Sequence, residues 1–398
     1  MSAGIRYCSF LEATGYGLAG IAYVRGLVNA GVPVHWVPVV SNGDAVLRVQ
    51  PGESVPFLDT LAEDAALRDL PALIAATARP VECDTVVAHT VPEHWPRLFQ
   101  PDHRNIGYTT WEADALPPHW LPLLERADGV CVPSSLNAQV FRASGIRVPV
   151  HTVPHLYRYA WNEFAPAELS EFREQLGIPE SHFVFYTIGQ WTPRKALDDL
   201  LFAFASAFSA DDPVTLVVKT GAKGFGAAPY YPEVAVEGLA ESVMETAVER
   251  SGHEAPAVCL MPFELNGRGI DLLHEIGDCY VSLAHGEGWS LGAFDAATRG
   301  TPVVMTGWGG HADFLGSDWP GAVRGGLTNV PVFPPHRPSL WPPQRWAVAN
   351  LDHAIEQMRL AVTMPEEWRT AAARIAQDIT NRFAEPQVTR GFLAAIRG

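Results

Sequence analysis

Short apolar runs alternate along the chain with longer segments in which apolar residues recur at helical spacing. The short runs have the length of β-strands, and this alternation is typical of α/β proteins with parallel sheets. The predicted strands are Ile5–Phe10, Val34–Val40, Thr85–Ala88, Ile106–Trp111, Gly129–Pro133, Val150–Pro154, Phe183–Ile188, Leu216–Lys219, Ala257–Pro262, Cys279–Ala284 and Pro302–Met305. The predicted helices include one that ends at Ala30, Asn137–Ser144 with Ser135 as N-cap, Ala196–Phe208, Gly267–Ile276, Leu351–Val362, Glu366–Phe383 and Glu385–Arg397.

The length of the chain predicts two domains. Chains beyond about 250–300 residues usually divide into separate cores, and this chain has 398 residues. The periodic pattern loosens between His155 and Pro179, where we expect a linker and a helix. We therefore place the first domain at residues 1–160 and the second at residues 161–383. The proline-rich segment from Leu315 to Trp346 lacks periodicity and is predicted to be a long loop.

The composition is that of a well-buried globular protein, with 47% hydrophobic residues. The chain has 28 Lys and Arg against 44 Asp and Glu, a net charge of −16. This excess of acid argues against a surface for nucleic acid or anionic membranes. An anionic substrate would need a local basic pocket.

The cysteines and the N-terminus suggest a cytoplasmic protein. The five cysteines have neither close pairs nor metal-type spacing, and Cys8, Cys131 and Cys279 lie in apolar runs. We expect buried free thiols in a reducing compartment. The first residues lack the pattern of a signal peptide, and no apolar run approaches the ~20 residues that span a bilayer.

The stretch Tyr280–Leu315 has the plan of a parallel α/β unit. A strand breaks at the turn His285–Gly288, a helix runs from about Ser290 to Gly300, and a second strand ends in three glycines. Gly286 and Gly288 would let a ligand approach the backbone, and the free N–H groups near Ser290 and Leu291 favour an anion. Glu287 stands in the turn, and Asp295 lies one helical turn beyond Leu291.

The spacing of Glu287 and Asp295 within EGWSLGAFDAATRGTPVV resembles the Glu-seven-residues-Glu pattern of retaining GT-B glycosyltransferases, family 4 in particular. The resemblance implies that Glu287 faces the donor sugar and that the second carboxylate holds the ribose hydroxyls. The chain departs from the family in having the shorter Asp at that second position. The alternative interpretation is an ordinary α/β loop with a capping acid.

The N-terminal half carries the resemblance more loosely. Gly15, Tyr16 and Gly17 form a glycine turn after the first strand, but no acid ends the second strand as a dinucleotide site requires. The resemblance implies that this turn contacts donor phosphate or acceptor, with Tyr16 on the acceptor side. It also implies that His89, at the end of a strand, lies near the donor sugar. The alternatives are a turn that needs glycine for packing and a structural histidine; we read His94 and His103 as surface or loop residues.

Arg194 and Lys195 precede a predicted helix, where cations oppose the helix dipole. This unfavourable position suggests a bound anion, and the resemblance implies the donor diphosphate. The family commonly has an arginine where this chain has Gln190, so the charge rests on this pair, with Lys219 at the end of a strand as a further candidate. The alternative is a solvated surface pair.

The remaining site residues follow from the resemblance and from strand ends. The backbone at Pro262 and Phe263 is implied to read the nucleobase, and Trp289 completes the donor loop. Glu112, after a strand, is a candidate for the acceptor. Together with Asp114 it is similar to a D-x-D metal motif, but the GT-B pattern elsewhere argues against a metal.

The resemblance implies two facing Rossmann-like domains, the GT-B fold, with the last helix (384–398) completing the first domain. It implies sugar transfer with retention from a UDP- or GDP-type donor to a hydroxyl of a glycan, lipid-linked, small-molecule or protein acceptor, without metal or other cofactor. Glu287, His89, Arg194 and Lys195 are the predicted catalytic residues. A GT-B epimerase of nucleotide sugars and a non-catalytic binding subunit are the alternative functions.

Overall fold

The computed structural model describes residues 4–42, 45–49, 64–158, 160–225, 233–331, 339–340 and 342–398. The chain folds into two compact units. Unit 1 comprises residues 1–111, 115–161 and 380–398, and unit 2 comprises residues 112–114 and 162–379. The short segment 112–114 therefore packs with unit 2, although the residues on both sides of it belong to unit 1.

Unit 1 is built on a seven-stranded sheet with the strand order β3-β2-β1-β4-β5-β6-β7. Apart from the antiparallel β3, neighbouring strands are parallel, and this order is that of a Rossmann fold. The strands are β1 (Gly4–Phe10), β2 (Val34–Asn42), β3 (Ala45–Arg48), β4 (Cys83–His89), β5 (Arg104–Tyr108), β6 (Gly129–Val132) and β7 (Val150–Thr152).

The helices of unit 1 include the C-terminal helix, which packs on the first helix of the chain. A Cβ on Gly26 would lie 2.4 Å from Thr389 Oγ1, so this glycine lets the two helices approach closely. The α-helices are Gly15–Asn29, Leu70–Thr77, Trp95–Leu98, Leu121–Leu124, Ser135–Ala143 and Glu385–Arg397, and three 3₁₀ turns are Ala65–Leu67, Pro92–His94 and Pro118–Trp120.

Unit 2 is built on a six-stranded parallel sheet with the order β12-β9-β8-β13-β14-β15. This order repeats that of unit 1, and its direction reverses between β8 and β13. The strands of the sheet are β8 (Phe183–Ile188), β9 (Val214–Lys219), β12 (Ala257–Met261), β13 (Cys279–Ser282), β14 (Val303–Thr306) and β15 (Ala322–Val323). Two antiparallel pairs lie outside it, namely β10 (Lys223–Phe225) with β11 (Glu233–Ala235), and β16 (Gly325–Asn329) with β17 (Arg345–Ala349).

The core of unit 2 is apolar and fully enclosed, with Phe185, Leu200, Phe204 and Leu216 among its residues. The helices of unit 2 are Pro166–Gln175, Leu197–Ala207, Val236–Ser251, Gly267–Ile276, Leu291–Thr298, Ala312–Leu315, Leu351–Thr363 and Pro365–Arg382. The last of these carries the chain from unit 2 back to unit 1.

The predicted fold class is confirmed: the protein is α/β, with two Rossmann-like parallel sheets. Several details differ from prediction. The N-cap of the helix Ser135–Ala143 is Ser134 and not Ser135, since the Ser134 hydroxyl accepts a hydrogen bond from the Asn137 N–H at 3.2 Å. The predicted loop after Leu315 contains strands β15, β16 and β17, although its residues 332–338 and 341 lie outside the described part. The helix Val236–Ser251 was not predicted.

The described cysteines are all free, and Cys8, Cys131 and Cys279 are buried as expected. In the described residues, no helix combines the length and apolar character needed to cross a membrane.

Candidate active site

Most of the predicted donor residues of unit 2 lie where the carboxyl ends of β8 and β13 meet. This is the point at which the strand order reverses, the usual ligand position in open α/β sheets. The loop after β8 carries Arg194 and Lys195, and the loop after β13 carries Glu287. A backbone hydrogen bond of 2.8 Å, from the His285 N–H to the Arg194 carbonyl, joins the two loops.

Two cations converge on one carboxylate in this place. The Lys195 ammonium donates to Glu287 Oε1 at 2.5 Å. The Arg194 guanidinium lies 3.4 Å from the same oxygen and donates to the Gly286 carbonyl at 2.6 Å. Its Nη2 atom also lies 3.5 Å from Glu112 Oε1. The four charged side chains form what we call the Glu287 cluster: Arg194, Lys195, Glu287 and Glu112.

The Glu287 carboxylate is ionised although the residue is only 7% exposed. Burial favours the neutral acid, but the charges of Lys195 and Arg194 outweigh it and lower the pKa of Glu287 below its ordinary value. For Arg194, burial favours the neutral form, and the carboxylates of Glu112 and Glu287 overcome it and raise the pKa. The cluster is therefore a network of charges that stabilise one another.

These contacts correct one expectation from the sequence. Lys195 was expected to be unfavourable at the start of its helix unless an anion is bound. The helix begins at Leu197, and Glu287 supplies the negative charge from a position 92 residues away in the chain. The alternative of a solvated surface pair does not hold either, because Arg194 and Lys195 both contact the buried carboxylate.

The backbone of Glu287 is held by the glycine turn after β14. The Gly310 N–H donates to the Glu287 carbonyl at 2.7 Å. A Cβ on Gly309 would lie 2.5 Å from His311 Nδ1 and 3.2 Å from the same carbonyl, so only glycine fits there. The glycines that follow the strand therefore fix the position of the acid.

Two histidines next to the cluster were not predicted as site residues. His311 is fully buried, and burial lowers its pKa, so the ring is neutral. Its Nε2–H donates to the Thr306 carbonyl at 2.7 Å, which leaves Nδ1 as the unprotonated nitrogen. His285 packs against the Trp346 ring at 4.9 Å, and burial lowers its pKa to about 4. Each histidine stands in a glycine-containing turn after a strand. That position in the sequence could have marked both as candidate site residues.

The glycines of the donor loop have different surroundings. A Cβ on Gly286 would lie 1.8 Å from the Glu112 carbonyl oxygen. The close approach that the sequence predicted is therefore made, at Gly286, by the protein's own segment 112–114. Contact of Gly286 or Gly288 with a ligand stays a prediction.

Trp289 and Ser290 shape the start of the helix Leu291–Thr298. The Trp289 ring is buried, 5.2 Å from the rings of both Phe294 and Phe314, so this side chain supports the turn from inside. Ser290 has the left-handed backbone angles φ 71° and ψ 81° and does not cap the helix with its side chain. Such a conformation costs about 1–3 kcal/mol in a non-glycine residue and is common at functional sites. Asp295 lies in the first turns of this helix and is half-buried.

Three further donor candidates, Lys219, Pro262 and Phe263, lie at the ends of β9 and β12. Lys219 is buried, its ammonium lies 4.0 Å from Glu264 and 3.3 Å from the Thr220 carbonyl, and burial lowers its pKa. Gln190 stands beside it, because the Gly189 N–H donates to the Lys219 carbonyl at 3.0 Å. Past β12, Pro262 is half-buried and the Phe263 ring is 50% exposed.

The candidates of the N-terminal half lie in unit 1, near the carboxyl ends of its strands. His89 ends β4, and its Nδ1 bonds to the Tyr7 hydroxyl at 2.8 Å. Burial, followed by the nearby His155, lowers the pKa of His89 far below its ordinary value, so the ring is neutral. The Tyr16 hydroxyl bonds to Thr109 at 2.9 Å.

The glycine turn of unit 1 is tight. The first helix begins at Gly15, and a Cβ on Gly17 would lie 2.0 Å from the Glu12 carbonyl oxygen. Packing alone therefore requires Gly17. Its contact with a donor stays a prediction, as do the ligand contacts of His89 and Tyr16. His94, expected at the surface or in a loop, is buried against Phe10 at the end of a 3₁₀ turn.

Within the described residues, no group of three or more His, Cys, Asp or Glu side chains is placed to hold a metal ion.

Comparison with known proteins places this geometry in context. No family profile matches the chain. It is 29% identical over 236 residues to D-inositol 3-phosphate glycosyltransferase of Segniliparus rotundus, covering 59% of this chain and 44% of that protein. It is 22% identical over 187 residues to alpha-monoglucosyldiacylglycerol synthase of Streptococcus pneumoniae, covering 46% of this chain and 38% of that protein. The chain thus matches less than half the length of these curated relatives.

Solved structures cover the whole chain. Anabaena HepE in complex with UDP and glucose has a TM-score of 0.59 and 14% identity, and covers 99% of both chains. Sucrose-phosphate synthase from Thermosynechococcus elongatus has a TM-score of 0.61 and 14% identity, over 99% of this chain and 98% of that one. These structures show that the chain has the GT-B fold.

The ion pair between Lys195 and Glu287 predicts that removing Lys195 lowers the free energy of unfolding. Lys195→Ala leaves the buried Glu287 carboxylate with Arg194 alone, and we expect a loss of about 1–3 kcal/mol, below that of a fully buried pair because Lys195 is 23% exposed. Urea unfolding of the wild type and of Lys195→Ala measures this loss of stability. The control is Lys223→Ala, whose exposed pair with Glu233 at 3.6 Å should contribute little.

The effect should depend on pH. The folded pKa of Glu287 lies below its ordinary value, so the ion pair contributes fully above that ordinary value and is lost as the pH falls through the folded pKa. The difference between wild type and Lys195→Ala should therefore narrow in acid. Equal stability of the two proteins at neutral pH would contradict the ion pair.

Proposed function

We propose that the protein is a retaining glycosyltransferase that moves a sugar from a nucleotide-sugar donor to an acceptor hydroxyl without a metal ion. The observation that carries the proposal is the Glu287 cluster: two cations and a buried, ionised carboxylate at the switch point of a Rossmann-like sheet. The relatives named glycosyltransferases and the neighbours bound to UDP, UDP and glucose, or UDP-glucose support this class of donor.

In this proposal the cations receive the charge of the leaving group. As the bond between the sugar C1 and the phosphate oxygen breaks, negative charge grows on the diphosphate, and Arg194 and Lys195 are placed to stabilise it. The free N–H groups at the start of the helix Leu291–Thr298 add to this effect. Lys219, on the next strand, is a further cation for the same charge.

Glu287 is proposed to hold the donor sugar. Its backbone is fixed by Gly310 and its side chain by Lys195, so the carboxylate is preorganised to accept hydrogen bonds from sugar hydroxyls. The acceptor oxygen then bonds to C1 on the face that the diphosphate leaves. This attack on the same face accounts for retention. The acceptor's proton passes to a departing phosphate oxygen, which balances the reaction.

The proposal also keeps the roles that rest on the resemblance alone. Asp295 would accept hydrogen bonds from the ribose, and the exposed Phe263 would face the nucleobase. His89 and Tyr16 would act toward the donor sugar and the acceptor.

Activity should survive excess chelator. The two cations can do for the diphosphate what a divalent ion does in other transferases, so transfer from UDP- or GDP-sugars should continue at an unchanged rate with EDTA present. Product formation against a panel of hydroxyl acceptors, followed by mass spectrometry, measures this. Loss of activity that magnesium or manganese restores would contradict the proposal. Conversion of the donor to an epimer of its sugar, with no acceptor present, would instead indicate an epimerase.

The two acids of the donor site should separate by role. Glu287→Gln should lower turnover while nucleoside diphosphate still binds, because its carboxylate is proposed to face the sugar. Asp295→Asn should weaken nucleotide binding by about 1–3 kcal/mol, since one charged acceptor for the ribose is lost. Titration calorimetry separates the two effects. Unchanged nucleotide affinity in Asp295→Asn would show that Asp295 has no ribose role.

A further inference from the structure

The Glu287 cluster has no net charge with which to receive an anion. Arg194 and Lys195 contribute two positive charges, and Glu287 and Glu112 contribute two negative charges. A diphosphate brings negative charge on each of its phosphates. For it to bind these cations favourably, one of the two carboxylates must give up its contact.

The two carboxylates differ in how firmly they are held. The Glu287 side chain is 8% exposed, contacts both cations, and has the shorter contact of 2.5 Å. The Glu112 side chain is 24% exposed and makes one ion pair, of 3.5 Å, with Arg194. Returning Glu112 to water costs less, because it is more exposed and its ion pair is longer. Glu112 is therefore the less firmly held of the two carboxylates.

The backbone around Glu112 is anchored independently of that ion pair. The Asp114 carboxylate accepts from the Arg345 N–H at 2.6 Å and from its Nε at 2.7 Å, and the Asp114 N–H donates to the Arg345 carbonyl at 2.9 Å. The Glu112 carbonyl lies against Gly286. The Glu112 side chain can thus leave Arg194 while the segment 112–114 stays in place.

We propose that Glu112 acts as an internal substitute for the donor diphosphate: it pairs with Arg194 in the unliganded protein and is displaced when a diphosphate binds. This inference rests on the proposed function and assigns Glu112 as a positioning residue. The exchange keeps Arg194 in place before the donor arrives, and it lowers the affinity for any diphosphate by the free energy of the lost pair.

The test is the affinity of the whole protein for inorganic pyrophosphate, UDP and GDP, measured by titration calorimetry. Glu112→Gln keeps the shape of the side chain and removes the competing charge. We expect binding to become about two- to fivefold tighter, the value of a partly exposed ion pair. The gain should shrink as salt is added, because salt screens such pairs. A purely structural role for Glu112 predicts no such salt-dependent gain.

A matched control and a second variant make the result interpretable. Glu125→Gln removes the same charge at an exposed pair with Arg147, and should leave all three affinities unchanged. Glu112→Ala should tighten binding as Glu112→Gln does. Thermal unfolding confirms that each variant is folded.

The outcomes separate this inference from the proposed function. The exchange would be overturned if both Glu112 variants bound pyrophosphate no more tightly than the wild type. It would also be overturned if neither the wild type nor any variant bound pyrophosphate. If pyrophosphate binds more tightly to the variants while UDP and GDP bind to none, the exchange stands and the proposed donor class fails.

Discussion

A carboxylate removed from water must be compensated by nearby charge, and the site of unit 2 is arranged around this requirement at Glu287. The side chain is nearly inaccessible, so without Lys195 and Arg194 burial would favour its protonated form. The two cations come from the loop after β8 and the acid from the loop after β13. Their attraction therefore joins the two loops at the point where the strand order reverses.

The glycines around the site allow the close backbone contacts that hold Glu287 in place. Gly309 and Gly310 bring the turn after β14 against the Glu287 carbonyl, and Gly286 admits the Glu112 backbone from the other side. Ser290 accepts a left-handed conformation at the start of the next helix. These features place Glu287 at the strand end with its cations already in contact, so Glu287 and its loop need little reorganisation when a ligand binds.

The sequence predicts local structure well where apolar periodicity is strong. Phe183–Ile188, Gly267–Ile276 and Glu385–Arg397 were predicted with the bounds that the structure shows. It fails where tertiary pairing decides: β16 pairs with β17 across a proline-rich segment, and β16 has no apolar pattern of its own. The position of Glu287 followed from its motif, but its partners did not. Lys195 lies 92 residues away, and its ion pair reverses the stability expected from the helix dipole alone.

The most direct test of the account is a crystal structure of the protein with a bound nucleoside diphosphate. Phosphate oxygens should lie about 2.7–2.9 Å from the Arg194 guanidinium or the Lys195 ammonium, the distance of a charge-assisted hydrogen bond. Glu287 should remain buried beside them. A nucleotide bound elsewhere, with Arg194 and Lys195 still occupied only by Glu287 and Glu112, would contradict it.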